Sequence, residues 1–199
     1  MSDARRALLA GLWDYAGVFP PAELPVEDAL AEWRRIRASD DAWLVNRLVV
    51  RSGHVDVCGS EPLAVVDGAE ERQGVVVYVE GQTKLRCGGA RIPTRNEVGV
   101  FIRRCRDEGT RFKATAGLHH ALPTNEEHGF LNLLAACVFG DEEQMLATRD
   151  IALDAESFRA NGRSAGVDEC ARTRHELLAS IGSCSFEEPV GELRELGIL

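Results

Sequence analysis

Residues 74–80 read Gly-Val-Val-Val-Tyr-Val-Glu, five apolar and mostly β-branched side chains in succession with no polar residue between them. Alternate side chains of a strand point to opposite faces, so such a strand needs apolar cover on both of them. That condition is met inside a parallel sheet flanked by helices, and it argues against an antiparallel sheet with one wet face. The other segments agree. Residues 42–50, 62–66, 83–89, 111–118 and 180–186 read as further strands, and a short one opens around Asp14. Apolar residues at 26, 29, 30, 33 and 36 predict a helix over 26–38. Thr94 and Glu97 form a capping box that opens a helix over 95–108, with Gly109 as its stop. Thr124 and Glu127 repeat that signature and predict a helix over 125–138. A less regular acidic stretch follows, then helices over 167–179 and from Pro189. Strands alternating with helices define an α/β class: a compact or truncated TIM-barrel-like parallel sheet covered by helices, in a single domain spanning 1–199.

Charge and composition narrow the function. The net charge of −9 and the lack of any basic tract exclude nucleic acid and anionic membrane as natural partners. No apolar run approaches the ~20 residues a bilayer requires. The first residues lack the pattern of a secretory leader, so the expected location is cytoplasmic. Six cysteines at 58, 87, 105, 137, 170 and 184 include no Cys-x-x-Cys pair, and they read as reduced thiols. Of the 23 basic residues only Lys84 and Lys113 are lysine. Arginine replaces lysine as a surface charge but not as a deprotonatable amine, which makes the two lysines worth locating.

In parallel α/β sheets ligands lie beyond the carboxyl ends of the strands. The densest chemistry there is Phe112-Lys113-Ala114-Thr115-Ala116-Gly117-Leu118-His119-His120. A strand lysine facing a low-dielectric interior is a candidate nucleophile, and two imidazoles follow at the strand mouth to move protons. The competing reading is a snorkelling lysine with two exposed loop histidines. His128, at the start of the next helix, offers with His119 and His120 a three-histidine zinc site as an alternative. Asn132, one turn further on, is a candidate for the same mouth.

Glu80, Lys84 and Arg86 form a second group, with the two cations facing the same way by strand periodicity. Gly88 and Gly89 follow and free backbone N–H donors for an anionic substrate group. A solvated ion pair between Glu80 and Lys84 is the competing account. Ser183 and Cys184 end the last strand just before a helix, where an anion could dock. Cys184 is also a candidate nucleophile, with no partner histidine assignable from sequence. Asp14 and Tyr15 are plausible mouth residues at the end of the first strand.

The motifs Asp14-Tyr15-Ala16-Gly17-Val18-Phe19-Pro20-Pro21-Ala22, Lys84-Leu85-Arg86-Cys87-Gly88-Gly89, Phe112 through His120, His128-Gly129-Phe130-Leu131-Asn132 and Gly182 through Pro189 run the length of the chain. On them the chain resembles an uncharacterised bacterial family of α/β-barrel proteins. That resemblance implies a barrel fold shortened between residues 51 and 74 and again between 140 and 166, and it implies no particular activity. Lys113-Ala114-Thr115-Ala116-Gly117 also resembles the Lys-Thr-Ser-Thr-Gly strand motif of deoxyribose-phosphate aldolase at the lysine, the middle threonine and the glycine. That likeness implies a Schiff-base role for Lys113.

The expectation is therefore a cofactor-free lyase or aldolase-like enzyme acting on an anionic carbonyl compound. Lys113 forms the imine, His119 or His120 shuttles the proton, and Glu80, Lys84, Arg86, Gly88, Gly89, Asn132, Ser183 and Cys184 surround the substrate. The alternatives are a zinc-dependent hydrolase or isomerase using His119, His120 and His128, and a non-catalytic binding or scaffold subunit. A shortened barrel leaves strand edges unpaired, so a homodimer is expected.

Overall fold

The computed structural model describes residues 3–66, 77–79 and 83–199. Seven short strands, β1 (Trp13–Tyr15), β2 (Val45–Val50), β3 (Leu63–Val65), β4 (Val77–Val79), β5 (Lys84–Arg86), β6 (Phe112–Thr115) and β10 (Leu178–Ser183), form one sheet in the order β4-β3-β2-β1-β10-β6-β5. Every neighbouring pair is parallel. Covalent geometry forces this sheet to curl. Its two edges, β4 and β5, are joined by the step from Val79 to Lys84, and five residues reach at most about 18 Å. Six strand spacings laid flat would put those edges about 29 Å apart. The chain resolves the conflict by bending the sheet into a half-barrel, whose concave face is the inner one.

Helices flank the sheet: α1 (Ala4–Leu9), α2 (Val26–Arg37), the single turn α3 (Val55–Cys58), α4 (Arg95–Asp107), α5 (Phe130–Phe139), α6 (Glu142–Ala147), α7 (Val167–Glu176) and α8 (Glu187–Glu195). The periodic apolar residues of 26–38 do face the core, through Ala29, Leu30, Trp33 and Ile36. The capping box of α4 is complete, with the Thr94 side chain accepting from Glu97 N–H and Glu97 accepting from Thr94 N–H. Residues Phe130 to Cys137 of α5 are buried all round, as expected for a helix apolar on every face. The outward side chains of the central strands pack beneath these helices. Trp13 meets Phe130 edge-to-face at 5.3 Å, and Phe112 meets Phe101 likewise at 5.2 Å. Among the described residues no helix is long and apolar enough to cross a membrane.

Two expectations change here. The Thr124–Glu127 signature does not cap a helix. Thr124 Oγ1 accepts from the backbone N–H groups of Glu126 and Glu127 in a tight turn, and the helix starts only at Phe130. Gly129 precedes it because a Cβ there would lie 2.6 Å from Asn132 Oδ1 and 2.7 Å from the Ala121 carbonyl oxygen. The acidic stretch taken as irregular holds α6 and a separate antiparallel meander, β7 (Ile151–Leu153), β8 (Ser157–Ala160) and β9 (Arg163–Gly166). Its hairpin turns on Asn161 and Gly162, both at positive φ, the backbone that an Asn-Gly pair supplies at low cost.

At the amino ends of the strands, Arg174 of α7 donates to the carbonyls of Leu178 and Ala179, and to those of Ala10 and Gly11 ahead of β1. Burial pulls this guanidinium down to about 10. That end is closed by structure. The carboxyl end is open.

Candidate active site

Period-two alternation sorts the central strands. Phe112 and Ala114 turn outward into the core, while Lys113 and Thr115 turn into the half-barrel. Lys113 is in register with Lys84 on β5 and Ser180 on β10, and Thr115 with Arg86 and Gly182. In-register neighbours of a sheet project to the same side, so these residues share the concave face. Asp14 of β1 is in register with Gly182 and completes the row.

The concave face opens into a cavity of about 670 Å³ at the carboxyl ends of the strands. That volume suits a small organic ligand. Its cationic wall carries Lys84, Arg86 and Lys113, and its rim carries His119 and Cys184. Ala16, Phe19, Pro20 and Pro21 supply an apolar wall from the loop after β1, with the Arg51 guanidinium 5.6 Å from the centre of the Phe19 ring. Thr115 Oγ1 is buried on the cavity side with no hydrogen-bond partner among the described residues.

At the floor, Lys113 Nζ lies 2.9 Å from Asp14 Oδ2, with side-chain exposures of 9% and 1%. Asp14 also accepts from Ser180 Oγ at 2.8 Å and from Asn46 Nδ2 at 2.9 Å. A carboxylate this deep persists only when its oxygens are hydrogen-bonded and paired, and three elements converge to do so.

At the rim, Cys184 Sγ lies 4.0 Å from His119 Nε2, and His119 Nδ1 lies 3.2 Å from Glu188 Oε2 in the first turn of α8. Glu127 accepts from the His119 backbone N–H. The neighbouring Cys184 thiol holds His119 up to about 9 despite its burial, with Glu127 and Glu188 adding to the effect.

The glycines between these walls answer to backbone packing. A Cβ on Gly88 would sit 2.8 Å from Gly117 Cα, and one on Gly117 would sit 2.8 Å from the Cys87 carbonyl oxygen and from Gly88 Cα. The ends of β5 and β6 touch only because both are glycine. Ala116 and Gly117 also take positive φ values of 60° and 61°, a turn that swings the chain from the Lys113 strand to His119.

The structure therefore gathers Lys84, Arg86, Gly88, Gly89, Lys113, His119 and Cys184 at one cavity. Glu80 lies outside the described residues. Four expected site residues turn elsewhere. His120 does not line this cavity. Its Nδ1 lies 2.6 Å from Glu192 Oε1 of α8, beside a separate small cleft. His128 is buried with Nε2 donating to the Pro93 carbonyl at 2.8 Å. Asn132 is fully buried and donates to the carbonyls of Met145 and Thr148, tying α5 to the end of α6. Ser183 Oγ donates to the Ser185 carbonyl and shapes the turn into α8. The three histidines are thus held apart, and among the described residues no group of three or more His, Cys, Asp or Glu side chains is placed to hold a metal ion.

Sequence reasoning missed Ser180, Asn46, Glu127 and Glu188, and it placed Asp14 at the mouth where the structure places it at the floor. A polar residue flanked by apolar ones, as at Ser180 between Ala179 and Ile181, is the available signal. Against protein-family models, curated proteins and solved structures, the chain finds no match.

Proposed function

We propose that this chain is a small-molecule enzyme of the lyase or aldolase type, in which Lys113 forms an imine with an anionic carbonyl compound. The observation that carries the proposal is the buried pair between Lys113 Nζ and Asp14 Oδ2, 2.9 Å apart at the floor of an open cavity with a cationic wall. Lys113 must shed a proton before its nitrogen attacks, and Asp14 is the base within hydrogen-bond reach. The amine then adds to the carbonyl carbon, the carbinol oxygen leaves as water, and a C=N bond remains. The iminium draws in the electron pair of a breaking C–C or C–O bond, and hydrolysis later frees the amine. Lys84 and Arg86 hold the anionic end of the substrate. His119 at the rim donates or removes the proton at the reacting carbon. The truncated-barrel architecture suits this chemistry, since the floor lysine and the rim histidine approach one ligand from two sides.

Incubation with small keto acids or aldehydes and borohydride tests the proposal. The expected product is a stoichiometric reduced adduct that peptide mapping places on Lys113, absent in Lys113→Arg, which keeps the charge but not the deprotonatable amine. Lys84 serves as internal control. No adduct with any carbonyl tested, or an adduct on Lys84 alone, overturns the reading.

A further inference from the structure

Five of the six cysteines are buried, and Cys184 alone is partly open, at the rim of the cavity. Its Sγ lies 4.0 Å from His119 Nε2, whose other ring nitrogen lies 3.2 Å from Glu188 Oε2. The order thiol, imidazole, carboxylate is that of an activated nucleophile: a base beside the sulfur and a third group that orients the base. The three come from different segments, the ends of β6 and β10 and the first turn of α8. Hydrogen bonds of this kind are often long before a substrate is bound. Two further titratable groups beside the relay are engaged elsewhere: the Tyr15 hydroxyl donates to Glu32 at 2.6 Å, and the Glu127 carboxylate accepts from the His119 backbone N–H.

We infer that Cys184, His119 and Glu188 form a nucleophilic relay that takes an acyl group from an ester or thioester bearing an anionic tail. The thiol proton passes to His119 before the attack, and Sγ adds to the acyl carbon as the thiolate of the resulting Cys184–His119 ion pair. The C–S bond forms, the bond from that carbon to the leaving oxygen or sulfur breaks, and His119 returns the proton to the leaving atom. Water then hydrolyses the acyl-cysteine and restores the thiol. No external oxidant or reductant is needed. Lys84 and Arg86, on the wall of the same cavity, select the anionic tail. The inference uses the cavity of the imine proposal but a different nucleophile, so it stands without that proposal.

Two probes applied to the full chain at pH 7 test it. Iodoacetamide followed by peptide mapping is expected to label Cys184, at least tenfold faster than in His119→Asn and several-fold faster than in Glu188→Gln. The five buried cysteines report folding of each variant, since they label only when the chain opens. The 4-nitrophenyl monoester of a dicarboxylic acid is expected to release a stoichiometric burst of nitrophenol and leave the acyl group on Cys184, faster than neutral 4-nitrophenyl acetate does. Equal Cys184 labelling in wild type and His119→Asn, with the other five silent, overturns the relay. A burst that maps to Lys113, or that shows no preference for the anionic ester, overturns it as well. Borohydride adducts read Lys113 and alkylation reads Cys184, so failure of one proposal is distinguishable from failure of the other.

Discussion

Replacing Asp14 with Asn removes one charge of the floor pair and leaves the other in place. Lys113 and Asp14 are so enclosed, at 9% and 1% side-chain exposure, that water screens them little. Breaking a buried pair from one side costs roughly 3–5 kcal/mol, because the surviving buried charge loses that partner. The Asn amide keeps the shape of the site and contacts to Ser180 and Asn46, so Asp14→Asn belongs at the low end, ~3 kcal/mol. Lys113→Met removes the amine but keeps most of the packing, and it strands the carboxylate at a similar cost. In Asp14→Asn/Lys113→Met neither charge remains, and the double variant is expected to recover about 2 kcal/mol relative to the sum of the single changes. With a urea slope of about 2 kcal/mol/M, each single variant loses roughly 1.5 M in midpoint. Urea denaturation followed by fluorescence, with the slope checked for constancy, measures all four corners of the cycle. Single-variant losses that add within about 0.5 kcal/mol would refute the reasoning, because the 2.9 Å contact would then carry no coupling.

Gly117→Ala places a methyl group 2.8 Å from backbone atoms of Cys87 and Gly88 at a positive φ, and is expected to cost at least about 2 kcal/mol in the same denaturation assay. Gly53→Ala, with nothing within 4 Å and no positive φ, is the control and is expected to stay within about 0.5 kcal/mol. Glu142 joins α6 to α4 through Arg103 at 2.8 Å and Arg106 at 2.6 Å. Burial pushes its carboxyl up, but hydrogen bonds from Arg106 and Arg103 outweigh burial and hold it below the usual value. A depressed carboxyl stabilises the fold above its unfolded value, about 4.3, and loses that contribution as pH falls through the folded value. Glu142→Gln is thus expected to cost about 2 kcal/mol at pH 7, with the gap to wild type closing as pH falls below about 4.3. A gap that stays constant down to pH 3 would remove Glu142 from the acid response.

The residues legible in the sequence are those whose fate depends on near neighbours. Strand alternation put Lys84 and Arg86 on one face, and in the structure both line the cavity beside Lys113. The Thr94 box caps α4 because every atom it needs lies within four residues. The identical signature at Thr124 closes a turn instead, since the Glu127 carboxylate accepts from His119 N–H and Gly129 must fit against the Ala121 carbonyl. Residues joined across the chain were not legible. Asp14 meets Lys113 only because β10 inserts between β1 and β6 and the sheet curls to bring their inner faces together. His119 finds Cys184 because β10 ends beside the loop after β6, and His120 finds Glu192 because α8 returns over the same rim. Local periodicity and capping depend on backbone geometry over a few residues, and the sequence by itself determined those. Which charge is paired, and which histidine faces the ligand, depends on strand order and sheet curvature, and only the tertiary structure decided that.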